Sequence, residues 1–132
     1  MIISRESDYA VRIIRALSSI EIQPVSDICR NEHIPVQYAY KILKKLENSG
    51  LVKSFRGPKG GYQLCKNPDD ITLYDIVIAV EDDLSINACM KQGFACPMNL
   101  GGHHCGVHKE FCRIQDNIVS MLKEKSLAEI LR

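Results

Sequence analysis

Residues 51–65, Leu-Val-Lys-Ser-Phe-Arg-Gly-Pro-Lys-Gly-Gly-Tyr-Gln-Leu-Cys, constrain the fold more tightly than any other segment. Two short strand-forming segments, 51–55 and 62–65, flank Arg-Gly-Pro-Lys-Gly-Gly, a stretch rich in turn formers. The pattern predicts a two-stranded antiparallel hairpin with Arg56 and Lys59 projecting at its tip. The glycines free the backbone to approach another surface closely. A phosphate-cradling nucleotide loop is disfavoured, because its spacing and its following helix are both missing.

Three helices precede the hairpin. Residues 4–19 place Ala10, Ile13, Ile14 and Leu17 at the i, i+3, i+4, i+7 spacing of one helix face. Residues 23–35 read as a short helix capped near Ser26 and stopped before Pro35. Residues 36–49 bury Ala39, Ile42, Leu43 and Leu46, and Gly50 stands where a left-handed terminator is wanted. The opposite face of this third helix carries Gln37, Tyr40, Lys41 and Lys44. On an isolated helix that face is an ordinary solvated surface. Three short helices followed by a glycine-tipped hairpin instead describe a winged helix-turn-helix, mainly α with a small β-wing. A helix fits the major groove of DNA, where Gln37, Tyr38, Tyr40 and Lys41 would reach base edges. Arg56 and Gly57 would enter the narrower minor groove. Lys41, Lys44, Lys45, Lys53 and Lys59 would pair with phosphates.

Beyond the hairpin, Thr72 and Asp75 stand at capping-box spacing ahead of an apolar face of Leu73, Ile76, Val77 and Val80. Residues 84–106 lack periodicity and are rich in glycine, which marks a functional or irregular loop. Phe111, Ile114, Ile118, Met121 and Leu122 then form the stripe of a long helix, followed by a turn with Ser126 and Glu129 at capping-box spacing. A small winged helix offers that stripe little cover, so the long helix is expected to form a homodimer interface that matches a palindromic operator. The expected organisation is a DNA-binding domain (1–83), a cysteine-rich loop (84–106) and a dimerisation helix with its C-terminal turn (107–132). Charge divides similarly: residues 1–66 hold 11 Lys/Arg against 6 Asp/Glu, while residues 67–132 hold 6 against 10. A basic first half suits a polyanionic partner. The longest apolar run, 76–80, is too short to cross a membrane. The charged N-terminal stretch lacks the apolar core of a signal peptide, and a cytoplasmic location is expected.

Six cysteines without a secretion signal favour metal or redox chemistry over disulfides. Four of them cluster as Cys89-x6-Cys96-x8-Cys105-x2-His108-x3-Cys112. Spacing leaves three readings open: an iron–sulfur cluster, a zinc site lacking the usual Cys-x2-Cys pairs, and a thiol redox switch. Cys29 and Cys65 read as small apolar structural residues. His103 and His104 neighbour the loop and are expected at its solvent-exposed surface.

The wing Arg56-Gly57-Pro58-x-Gly60-Gly61-Tyr62-x-Leu64, the N-terminal Ser7-Asp8-Tyr9-Ala10-Val11-Arg12 and the Cys105-Gly-Val-His108 motif resemble the IscR/NsrR superfamily of bacterial regulators, the Rrf-two type. The resemblance covers nearly the whole chain and implies a winged-helix dimer joined by a long C-terminal helix. It implies an iron–sulfur cluster, 2Fe–2S or 4Fe–4S, on Cys89, Cys96 and Cys105. The fourth ligand would be His108 as in one branch of the family, or Asp8 of the other subunit as in another. Cys112, one helical turn past His108, lies outside the family pattern but is a third candidate for that position. The resemblance further implies a transcription regulator of double-stranded DNA, a repressor, whose operator affinity responds to iron, redox state, oxygen or nitric oxide. The alternative within the same fold is a cluster-free regulator controlled by a thiol switch, zinc or a protein partner. An enzyme is not expected, since no nucleophile–base pair or paired carboxylates stand at a suitable spacing.

Overall fold

The computed structural model of the protein describes residues 3–98 and 105–132. Of the loop residues singled out above, His103 and His104 lie outside the described residues. The elements follow one another as α1 (Arg5–Ala16), α2 (Val25–Glu32), α3 (Val36–Asn48), β1 (Val52–Phe55), β2 (Gly61–Leu64), α4 (Leu73–Val80), α5 (Gly106–Glu124) and α6 (Leu127–Ile130). Short 3-10 turns occupy Pro68–Asp70 and Ala88–Met90. This is the expected α-rich fold with a two-stranded wing. No helix among the described residues is long and apolar enough to cross a membrane.

The core forms because the predicted apolar stripes meet. Ala10, Ile13, Ile14 and Leu17 from α1 and the turn after it, with Ala39, Ile42, Leu43 and Leu46 from α3, are all fully buried. Ile28 from α2 and Ile76 and Val80 from α4 close the same cluster. Each of the buried Leu, Ile and Val side chains contributes on the order of 1.5–3 kcal/mol when removed from water. Between α2 and α3 the chain turns over three residues. His33 takes a left-handed conformation (φ 55°), Ile34 is buried, and Pro35 opens α3. Gly50 ends α3 at φ +82°, as its position in the sequence requires.

Two local expectations are corrected. Ser26 does not cap α2: the helix starts one residue earlier, Pro24 occupies the cap, and its carbonyl accepts from Ile28 N at 3.1 Å. Proline's fixed φ suits that entry, so Ser26 already lies within the first turn. Cys65 is exposed rather than buried. Strand β2 ends at Leu64, whose side chain points inward, and alternation then turns the next side chain out.

The wing pairs Val52 with Leu64, Lys53 with Gln63, Ser54 with Tyr62 and Phe55 with Gly61. The close approach foreseen for its glycines is made by Gly61 to its own chain. Gln23 and Tyr62 exchange both backbone hydrogen bonds at 2.9 Å, which welds the wing to the segment leading into α2. A Cβ on Gly61 would stand 2.1 Å from the Gln23 carbonyl oxygen, at a φ of +154°.

Thr72 and Asp75 form the predicted capping box of α4, and Ser126 and Glu129 that of α6. The last turn folds back on the core: Leu127 N donates to Ile71 O at 2.7 Å, and the Leu127 side chain is buried. Helix α5 differs, because no residue along it is fully buried within one chain. Met121 is 71% exposed and Val107 64%.

Gly61→Ala tests the weld between wing and α2. The clash is with backbone, which cannot rotate away, so a loss of more than about 2 kcal/mol is expected in urea unfolding. Gly50→Ala, with open space around its Cβ, is expected to lose only the left-handed penalty of about 1–2 kcal/mol.

Candidate nucleic-acid interface and cysteine centre

The exposed face of α3 and the wing border one groove. Pro24, Val25 and Ser26 at the start of α2 line it with Tyr40 of α3 and with Phe55, Arg56, Gly57 and Tyr62 of the wing. Tyr40 is 54% exposed, and Gln37, Lys44, Arg56 and Lys59 are exposed as well. Gly57 stands at φ +101° with open space around it, so the tip backbone is bare on its outer side. The N-terminal turn of α2 is a contributor that the sequence reading missed. Its signal was Pro24, which places the helix start, and therefore its free N–H groups, beside the wing.

Two of the predicted groove residues have partners within the chain. Tyr38 packs its ring 6.0 Å from that of Tyr9 on α1, while remaining 43% exposed. Lys41 donates to Glu6 Oε1 at 2.5 Å while its side chain stays largely in solvent. Lys45 corrects the expectation of a phosphate contact. Its ammonium is held between Glu6 Oε2 at 2.7 Å and the Val80 carbonyl at 3.0 Å, in a half-buried position. A lysine with two internal acceptors ties helices together instead of facing a polyanion.

Glu6 therefore grips α3 from α1, and a second carboxylate completes the junction. Glu81, the residue that ends α4, accepts through Oε1 from the Ser7 hydroxyl at 2.6 Å, from Ser4 N at 3.3 Å and from the Ser4 hydroxyl. Ser7 is fully buried and Ser4 caps α1. Hydrogen bonds from Lys41 and Lys45 hold the Glu6 carboxyl below the ordinary 4.5. Burial pushes the Glu81 carboxyl up, but the Ser4 and Ser7 donors outweigh it and leave the group below its ordinary value. Both carboxylates are thus charged at neutral pH. The end of α4, the start of α1 and the face of α3 are held by one polar network.

The cysteine loop leaves α4 at that junction and returns at the N-terminus of α5. Cys105 is the N-cap of α5, and His108 lies in its first turn. His108 Nδ1 stands 3.3 Å from Cys89 Sγ, and Nε2 stands 3.5 Å from Cys112 Sγ. Cys105, His108, Lys109 and Cys112 line one cavity of about 370 Å³. The structure thus gathers Cys89, Cys105, His108 and Cys112 at the start of α5. Cys96 is half-buried on the same loop. Among the described residues no three Cys, His, Asp or Glu side chains stand at the spacing of a formed metal site. The donor chemistry, thiols with one imidazole, suits a soft or borderline metal group. Asp8 is elsewhere: it pairs with Arg12 at 2.9 Å and lines a different cavity with Ile3, Val11, Leu73, Val77 and Leu122. Cys29 is buried, which raises its thiol pKa and keeps it protonated, in accord with a structural role.

Residues 3–132 match the family described as Rrf2, iron-dependent transcriptional regulator. The HTH-type transcriptional regulator IscR of Photorhabdus laumondii is 31% identical over 109 residues, which are 82% of this chain and 63% of that protein. The chain thus matches less than two thirds of the length of such relatives. Among solved structures, CymR, the global cysteine regulator of B. subtilis, superposes with a TM-score of 0.77 at 26% identity, covering 97% of this chain and 94% of that one. IscR of T. potens superposes with a TM-score of 0.75 at 24% identity, covering 97% and 84%, and shares the fold. These relatives are named as regulators and not as enzymes, in line with the expectation from sequence.

The Glu6 clamp has a pH signature. Its carboxyl is depressed in the folded state, so its stabilisation is complete above the unfolded value near 4.5 and is lost as pH falls through the lower folded value. Glu6→Gln is expected to lower the urea midpoint at pH 7. The gap to wild type should narrow steadily below pH 4.5 in acid titrations followed by circular dichroism.

Proposed function

The chain belongs to the Rrf2 family of transcriptional regulators, and from that premise we propose that it is a cytoplasmic homodimeric repressor whose operator affinity is set by a metal–sulfur group on its cysteine loop. Residues 1–83 would read DNA, residues 84–106 would hold the group, and residues 107–132 would join two copies. Support for the dimer comes from the apolar side chains that α5 leaves exposed, Val107, Ile114 and Met121 among them.

On DNA, Gln37, Tyr38, Tyr40 and Lys41 face the major groove, Lys44 and Lys59 meet phosphates, and Arg56 and Gly57 reach the minor groove. The bare backbone at Gly57 allows that approach, and Arg56 supplies charge where a narrow groove concentrates negative potential. Cys89, Cys96, Cys105 and His108 would hold an iron–sulfur cluster, with Asp8 of the partner subunit as the other candidate for the fourth position. When bound, such a cluster supplies one-electron chemistry and reactivity toward oxygen and nitric oxide.

The observation that carries the regulatory reading is the junction at Glu81. The loop begins three residues after Glu81, so a change in the loop's path would move a carboxylate on which Ser4 and Ser7 both depend. Those serines fix the first turn of α1, and Glu6 in that turn grips Lys41 and Lys45 of α3. Loop order is thereby linked to the pose of the reading helix, a coupling between two sites.

Selection from a random duplex pool tests the DNA reading. An inverted repeat with half-site centres about 34–36 Å apart is expected, and enrichment of a single unpaired half-site would refute the dimeric reading. On the selected duplex, Lys44→Ala should weaken binding uniformly across sequences and lower the salt slope by about one. Gln37→Ala should cost about 1–3 kcal/mol and relax the sequence preference. Anaerobic purification tests the cofactor. Wild type should be coloured and contain iron and acid-labile sulfide, and Cys96→Ser should lose both. A colourless wild type with full operator binding would favour the cluster-free alternative.

A further inference from the structure

We infer that Cys105, His108 and Cys112 form a second, mononuclear ligand set for a single divalent cation of the zinc class. Cys105 is the N-cap of α5, and His108 and Cys112 follow it at i+3 and i+7, one turn apart on one face of the helix. They line a common cavity together with Lys109. His108 and Cys112 are one turn apart on a regular helix, and that spacing makes a rigid two-donor chelate.

The distances suit the chemistry. Tetrahedral coordination with metal–sulfur bonds of ~2.3 Å and metal–nitrogen bonds of ~2.0–2.1 Å separates the two donor atoms by about 3.5 Å. Cys112 Sγ and His108 Nε2 are 3.5 Å apart before any metal is present. Cys89 completes the logic from the opposite side of the ring. It lies 3.3 Å from Nδ1; in the tautomer that carries its proton on Nδ1, Cys89 accepts that N–H and the Nε2 lone pair faces Cys112. A metal-bound histidine is commonly oriented in this way, through an acceptor on its other nitrogen. Three protein ligands leave the fourth position to water. The described donors are not yet closed around one point, so the cation itself draws the thiols in as their protons leave to solvent.

This set shares Cys105 and His108 with the proposed cluster but uses Cys112 and dispenses with Cys89 and Cys96 as ligands. It therefore stands whether or not the cluster reading holds, and the two states exclude one another. A chain that has lost its cluster would still own a metal site.

The test is a titration of the full-length, reduced, metal-stripped chain with Co2+ under anaerobic conditions, read by thiolate-to-cobalt charge-transfer absorption. One equivalent per chain is expected, displaced by Zn2+. Cys96→Ser should bind Co2+ like wild type even though it cannot hold the proposed cluster. Cys112→Ser should bind at least ~10-fold more weakly. Cys112→His, which restores a donor and guards against a folding defect, should recover binding with about half the charge-transfer intensity, because one of two thiolates is gone. Equal affinity and intensity in Cys112→Ser and wild type would overturn the site. So would loss of Co2+ binding in Cys96→Ser, or cobalt that Zn2+ fails to displace.

Discussion

The Glu6 carboxylate, shared between Lys41 and Lys45, is the interaction on which the working arrangement depends. Hydrophobic burial brings α1, α3 and α4 together, but apolar contact is non-directional and would tolerate small rotations of α3. A carboxylate with one ammonium on each oxygen fixes the rotation. Lys45 adds a bond to the last carbonyl of α4, and Glu81 binds the cap of α1 from the next residue along. Helix α3 is thus posed by polar bonds that converge at the end of α4, close to the start of the cysteine loop.

Much of this fold was legible in the sequence, for reasons that can be named. Ala39, Ile42, Leu43 and Leu46 recur at helical spacing, so the buried face of α3 fixed its exposed face by default. Thr72–Asp75 and Ser126–Glu129 stand at capping-box spacing, and both boxes form. Arg56 to Gly61 could only be a turn. Ser26 was misread because a proline two residues earlier starts the helix better than a serine cap does. Cys65 was misread because strand β2 ends one residue short of it. The junction was illegible for a different reason. Glu6 lies 35 residues from Lys41, and Glu81 lies 74 residues from Ser7, so no local pattern links them. Lys45 looked like one more surface cation until its two acceptors were in view.

The candidate cysteine centre shows the same divide between chemistry and geometry. Residue types and their clustering were enough to name a soft-metal or redox role. They could not rank the ligands, because spacing along an aperiodic loop carries little information about which sulfur faces which nitrogen. The position of Cys105 as the N-cap of α5 changes that. It gives Cys105, His108 and Cys112 a common face, and it places Cys89 against the other ring nitrogen. His108 stands at the centre of both proposed ligand sets, while Asp8 is paired with Arg12 on a separate surface.

The central claim is that loop state reaches the reading helix through Glu81. The most direct measurement compares operator affinity of the anaerobically isolated protein with that of the metal-stripped protein, in wild type and in Glu81→Ala, which removes the acceptor that Ser4 and Ser7 share. The account predicts a clear affinity ratio between the two states in wild type. It predicts a ratio near one in the variant, whose metal content and fold should be unchanged. The same ratio in both proteins would contradict it.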